Sequence, residues 1–137
     1  MTISFPTSPT TSPEHNQQTF DTCISLALQL VASIEYAPAT GGDAPPTEML
    51  LDFARELDRH AEDIARLSGQ ELVNLPSLGL ARYQELRSGG ASPLHVAYRA
   101  LHTAAFLGLE GGQATAVMLS VVSCSLRELA LPTRTYH

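Results

Sequence analysis

Lysine is absent from this chain, and all eight of its bases are arginines. That removes every chemistry that runs through a lysine amine: Schiff bases, a pyridoxal phosphate anchor, a Walker A phosphate loop. Positive charge is scarce as well. Fourteen acids against eight bases leave a net charge of −6, and no basic stripe is present to neutralise phosphates, so no nucleic-acid partner is expected. A basic protein partner and plain solubility are both compatible with that balance.

Cysteine is limited to Cys23 and Cys124. Both fall in apolar helical segments, where buried reduced thiols are the expectation and a disulfide between the two helices is the alternative. The N-terminus has no basic region followed by an apolar one, so no signal peptide is expected. The longest apolar run is too short, and too interrupted by serine, to span a bilayer. The expected location is cytoplasmic, with no membrane partner.

What is present describes a folded domain. A chain of 137 residues, 44% hydrophobic and 16% charged, can bury one core and keeps a rather apolar surface. Apolar residues recur at helical spacing and no β-branched alternation marks a strand, so the class is all-α: a compact bundle of four to five helices. Residues 1–15, MTISFPTSPTTSPEH, hold three prolines and many Ser and Thr, a composition expected of a disordered tail. The helical domain is expected over 16–131, and 132–137 form a short C-terminal tail.

A first helix is predicted over residues 16–36, stopping before Pro38, with Phe20, Ile24, Ala27, Val31 and Ile34 as its inner stripe. The linker 38–46 precedes a second helix at 48–67, for which Thr47 is the N-cap candidate. Leu50, Phe53, Ala54, Leu57, Ala61 and Ile64 line one side of it. Charges fill the other, and Arg59–Asp63 and Glu62–Arg66 are spaced for surface pairs. A short third helix falls near 78–87, closed by Gly89-Gly90. Ser92-Pro93 is an N-cap and N1 pair opening a fourth helix that runs to about Leu109. The fifth, 113–129, follows Gly111-Gly112 almost at once, so the last two helices should form an antiparallel hairpin.

The fifth helix carries more apolar surface than a surface helix uses. Ala114, Val117, Met118, Leu119, Val121, Val122, Cys124, Leu126 and Leu129 cover an arc of roughly 200°, where a stripe of about 100° suffices. Ala116, Ser120 and Ser123 form a row of small residues that permits close helix approach. Two explanations stay open: the other helices surround this one, or a second chain covers it. On the second, Val117, Leu119, Val121 and Leu126 are the candidate association residues. His95, Arg99, His102 and Phe106 on one flank of the fourth helix are a second candidate patch, since Arg and aromatic residues are favoured anchors.

Few constellations suggest chemistry. His95 and His102 are seven apart, about 10.5 Å along a helix axis, too far for one ion whose bonds to nitrogen are near 2 Å. His60 sits at the edge of the second helix's stripe, where a hydrogen-bonded boundary histidine is the simple reading. No serine lies in a GxSxG elbow, and no glycine pair follows a strand as a phosphate loop requires. No catalytic, cofactor or metal residue is therefore assigned.

The segments LLDFARELDRHAEDIARLSG and HVAYRALHTAAFLGLEGGQATAVMLSVVSCSLREL, together with the chain's size and its Ser/Thr/Pro-rich start, resemble the small all-helical antiactivators of pseudomonads. Those proteins bind a LuxR-type quorum-sensing regulator and block its dimerisation. The resemblance implies a non-enzymatic inhibitor, itself a homodimer, that sequesters a transcriptional regulator; it assigns no site residues. Two other classes remain: a small-molecule-binding bundle, and, weakest, a metal-dependent enzyme built around His60, His95 and His102.

Overall fold

The structure is a computed structural model that describes residues 13–40, 45–67 and 74–131. Among them stand five α-helices and no strand: α1 (Pro13–Thr40), α2 (Thr47–Leu67), α3 (Leu75–Ser88), α4 (Pro93–Leu107) and α5 (Gln113–Leu129). The all-α bundle expected from the sequence is the observed class. Most of the expected N-terminal tail, the middle of the 38–46 linker and the C-terminal tail lie outside the described residues.

Local chemistry sets the boundaries. Ser92 accepts a hydrogen bond from the His95 backbone N–H at 3.1 Å, with Pro93 at the first helical position, so α4 opens where the sequence placed it. It closes two residues early, at Leu107. Gly108 takes φ +65°, a 3-10 turn follows over Leu109–Gly111, and Thr115 Oγ1 donates to the Gly108 carbonyl at 2.6 Å. Glycine at Gly108 and Gly112 supplies the positive φ that this tight corner needs.

Three boundaries differ from the sequence reading. Helix α3 starts at Leu75 instead of near Leu78, because Asn74 caps it by accepting from the Ser77 N–H at 3.4 Å and Pro76 fits the first turn. Helix α1 begins at Pro13, inside the expected tail, with Glu14 in a first turn that favours an acid. It also runs through Pro38 to Thr40; Ala37 is buried, and a proline so near the end forfeits little of the helical ladder.

Helix α5 is the axis of the bundle. It packs along α2 and α4 and, over a shorter length, against α3. Leu119, Val121 and Leu126 are 0% exposed, and Val117 is half-buried against the same core. The small-residue row serves these internal contacts: Ser123 Oγ donates to the Ala54 carbonyl of α2 at 3.1 Å, and Ser120 lies under Gly79 of α3. The apolar excess of this helix is therefore absorbed within one chain. Leu119, Val121 and Leu126 are corrected from association residues to core residues, because a partner cannot reach them while the fold is intact. Val117 is half-buried and keeps part of its side chain exposed.

The surface ion pairs of α2 are also partly reassigned. Arg59 pairs with Glu56, one turn back, and not with Asp63; Arg66 reaches both Glu62 at 3.7 Å and Asp63 at 3.6 Å. Helix α1 is the outermost element. It runs antiparallel to α4, tied near its end by Tyr98 Oη donating to Glu35 at 3.0 Å, and feeds Phe20, Cys23, Ile24, Ala27, Leu30 and Val31 into the core.

Candidate association surface

With α5 enclosed, the outer flank of α4 and the adjoining side of α1 hold the most exposed large apolar side chain among the described residues. His95, Arg99, His102 and Phe106 follow one another along the outer flank of α4, and all four are exposed. Phe106 is 89% exposed, far beyond any other large apolar side chain described. His102 is held in place by the Tyr98 ring, stacked at a centroid distance of 6.4 Å and 16° between planes. Burial first, and then the bond to Glu35, push the Tyr98 phenol up to about 12.

Beside Phe106 in sequence, Ala105 forms one wall of an open groove of about 330 Å³ between α4 and α1. Phe20, Ile24 and Leu28 make its apolar floor, and Asp21, Ser25 and Gln29 its α1 rim. An exposed aromatic knob and an apolar groove thus lie on adjoining sides of α4, one helical step of about 100° apart. Leu28 is only half covered there, as are Leu26 and Ile34 farther along α1.

The charges of this face are sorted by helix. Helix α1 carries Glu14, Asp21 and Glu35 and neither lysine nor arginine; α4 carries Arg99 and two histidines and no acid. Arg55, Arg59, Arg66, Arg82, Arg87 and Arg127 each lie within an ion pair. Among the described residues, Arg99 is the arginine left without a carboxylate.

A second cluster lies between α1 and α2. Asn16, Thr19, Phe20 and Cys23 face His60, Asp63 and Ile64 across a cavity of about 10 Å³, room for about one water. Thr19 Oγ1 is buried there without a hydrogen-bond partner among the described residues. His60 is 4% exposed, so it is a core residue and not the boundary residue its sequence position suggested. Burial, helped by Arg59, pulls its imidazole below the usual histidine range. Burial, helped by Glu56, pushes the Cys23 thiol up to about 12. Both groups are thus held neutral, which is the opposite of a thiolate–imidazolium pair.

His60, buried under α1, and His95 and His102, exposed on α4, are not gathered into one site. No group of three metal-ligating side chains converges among the described residues. Cys23 and Cys124 are both free thiols. No described helix is long and apolar enough to cross a membrane.

One constellation escaped the sequence reading. Glu128 of α5 accepts from the Tyr83 hydroxyl and from Arg87 Nε at 3.0 Å and Nη2 at 2.6 Å, while Arg87 Nη1 donates to the Ala91 carbonyl at 2.8 Å. This pins the end of α3 to the end of α5. The partners are 41 and 45 residues apart, so no local pattern reveals them. Arg127 similarly ties α5 to Asp58 of α2 at 2.8 Å. These contacts bind helices together and involve none of His95, Arg99, His102 and Phe106. No protein-family model, curated protein or solved structure matches the chain.

Proposed function

We propose that this chain is a non-enzymatic protein-interaction module that works through its α1/α4 face as a cytoplasmic homodimer. In the form implied by its resemblance to pseudomonad antiactivators, it sequesters a LuxR-type transcriptional regulator and blocks that regulator's dimerisation. The observation that carries the reading is Phe106, 89% exposed beside an apolar groove, since aromatic side chains next to arginine are frequent anchors of interfaces. The acidic balance of the chain fits a protein partner better than a nucleic acid. The small-molecule alternative gains no support from the cavity at His60, which has room for about one water.

The test is a purified LuxR-type regulator from the same organism mixed with the full chain. Loss of the regulator's DNA binding and a shift of its mass to a mixed complex are expected, with both effects weakened by Phe106→Glu. Unchanged DNA binding and separate masses at micromolar concentrations contradict the antiactivator reading.

A further inference from the structure

We propose that the occupant of the α1/α4 groove is Phe106 of a second copy of this chain, in a two-fold dimer where each copy supplies one knob and one groove. This rests on the reading of the α1/α4 face as an association surface, and it names what sits there.

Three observations converge on a second copy. An isologous interface must be complementary to itself, so any knob and any hole must lie on the same patch. Here Phe106 projects from α4 one residue beyond Ala105, which lines the groove; one helical step of about 100° separates the two directions. A two-fold axis between the copies carries each knob to the other's groove and closes the assembly at two chains.

The charges obey the same symmetry. Placing α4 of one copy across α1 of the other sets Arg99, which has no carboxylate partner among the described residues, toward a helix whose only formal charges are Glu14, Asp21 and Glu35. The reciprocal contact is made at the same time. A partner that was merely basic would meet repulsion from Arg99, and one merely acidic would meet repulsion from Asp21; a copy of this face offers both signs in the required places.

Finally, the groove is lined by the apolar Phe20, Ile24 and Leu28, of which Leu28 is the half-exposed one, and by the polar Asp21, Ser25 and Gln29. That is the arrangement of a packed centre within a hydrated border. Each copy's groove is incomplete without the aromatic ring supplied by the other.

The experiment measures the mass of the full chain by light scattering at rising concentration, without any regulator present. Wild type is expected at twice 14.7 kDa. Phe106→Glu, at a position so exposed that the fold should not notice, is expected to raise the dimer dissociation constant by about thirtyfold or more, the loss typical of a central anchor. Arg99→Glu should weaken the dimer as well, and adding Asp21→Arg to it should recover part of the loss. A wild-type mass of 14.7 kDa at every concentration overturns the proposal and leaves the groove to residues 1–12 or to a different protein. So does a dimer indifferent to Phe106→Glu. A monomer that still captures the regulator removes the second copy alone; a Phe106-dependent dimer that captures no regulator removes the antiactivator role and leaves the dimer standing.

Discussion

Gly79 of α3 and Ser120 of α5 meet so closely that a Cβ added to the glycine would lie 2.0 Å from the serine Oγ and 2.5 Å from its Cβ. No side chain larger than hydrogen fits there. The contact lets α3 settle onto α5, and it shows how a row of small residues in the central helix serves the inside of the fold.

Gly79→Ala should therefore destabilise the protein although alanine favours helices. Overpacking costs about 1–3 kcal/mol, more than the gain of about 1 kcal/mol in helix propensity. Thermal melting followed by circular dichroism should show a midpoint several degrees lower. Adding Ser120→Gly, which removes both clashing atoms, should recover part of the loss.

Glu128 makes stability depend on acid. Its hydrogen bonds from Arg87 hold the carboxyl below the usual range, and the Tyr83 hydroxyl adds to this against an opposing effect of burial. The unfolded chain then binds more protons than the folded one between the two values. The contribution is fully present above the ordinary carboxylate range, and it is lost as pH falls from about 4.3 through the folded value. Glu128→Gln should lower stability by about 1–2 kcal/mol at neutral pH and flatten the acid limb of a denaturation series.

His60 shifts stability at higher pH. Because burial lowers its pKa below 6.5, the folded state resists a proton that the unfolded state accepts. Stability should be complete above pH 6.5 and should decline below it until the folded value is passed. The charged groups around it are Arg59, Asp63 and Glu56 on its own helix, with Asn16, Thr19 and Cys23 facing it from α1. Urea midpoints measured from pH 8 to pH 5 should fall for wild type and fall less for His60→Gln.

Core and surface assignments can be separated by one pair of variants. Val121→Arg puts a charge where exposure is 0% and should abolish the cooperative melting transition. Phe106→Glu should keep the wild-type helical spectrum and melting point within a degree or two. A folded Val121→Arg protein would contradict the internal role of α5.

The sequence was legible wherever a pattern is local. The Ser92-Pro93 start of α4, the hairpin into α5 and the amphipathic face of α2 all follow from neighbours within a few residues. Asn74 with Pro76 was an equally local start signal for α3, and reading the helix from its first apolar turn missed it. The apolar arc of α5, from Ala114 to Leu129, is legible as a surface that needs cover on nearly every side. What covers it was not legible, because the count of helices able to surround one axis depends on their docking and not on any single stripe. The Tyr83–Arg87–Glu128 pin was hidden for the same reason. The α4 flank, His95, Arg99, His102 and Phe106, was readable from helical spacing; the groove beside it needed the antiparallel placement of α1.

Phe106 itself offers the most direct test of the α1/α4 face as the association surface. The chain contains no tryptophan, so Phe106→Trp introduces a single tryptophan, excited selectively over the tyrosines, at the proposed contact. Its emission is expected to move to the blue and to become protected from iodide quenching as the protein is concentrated, in step with the rise in mass. An emission that stays water-exposed at every concentration, and after addition of a regulator, would contradict the account.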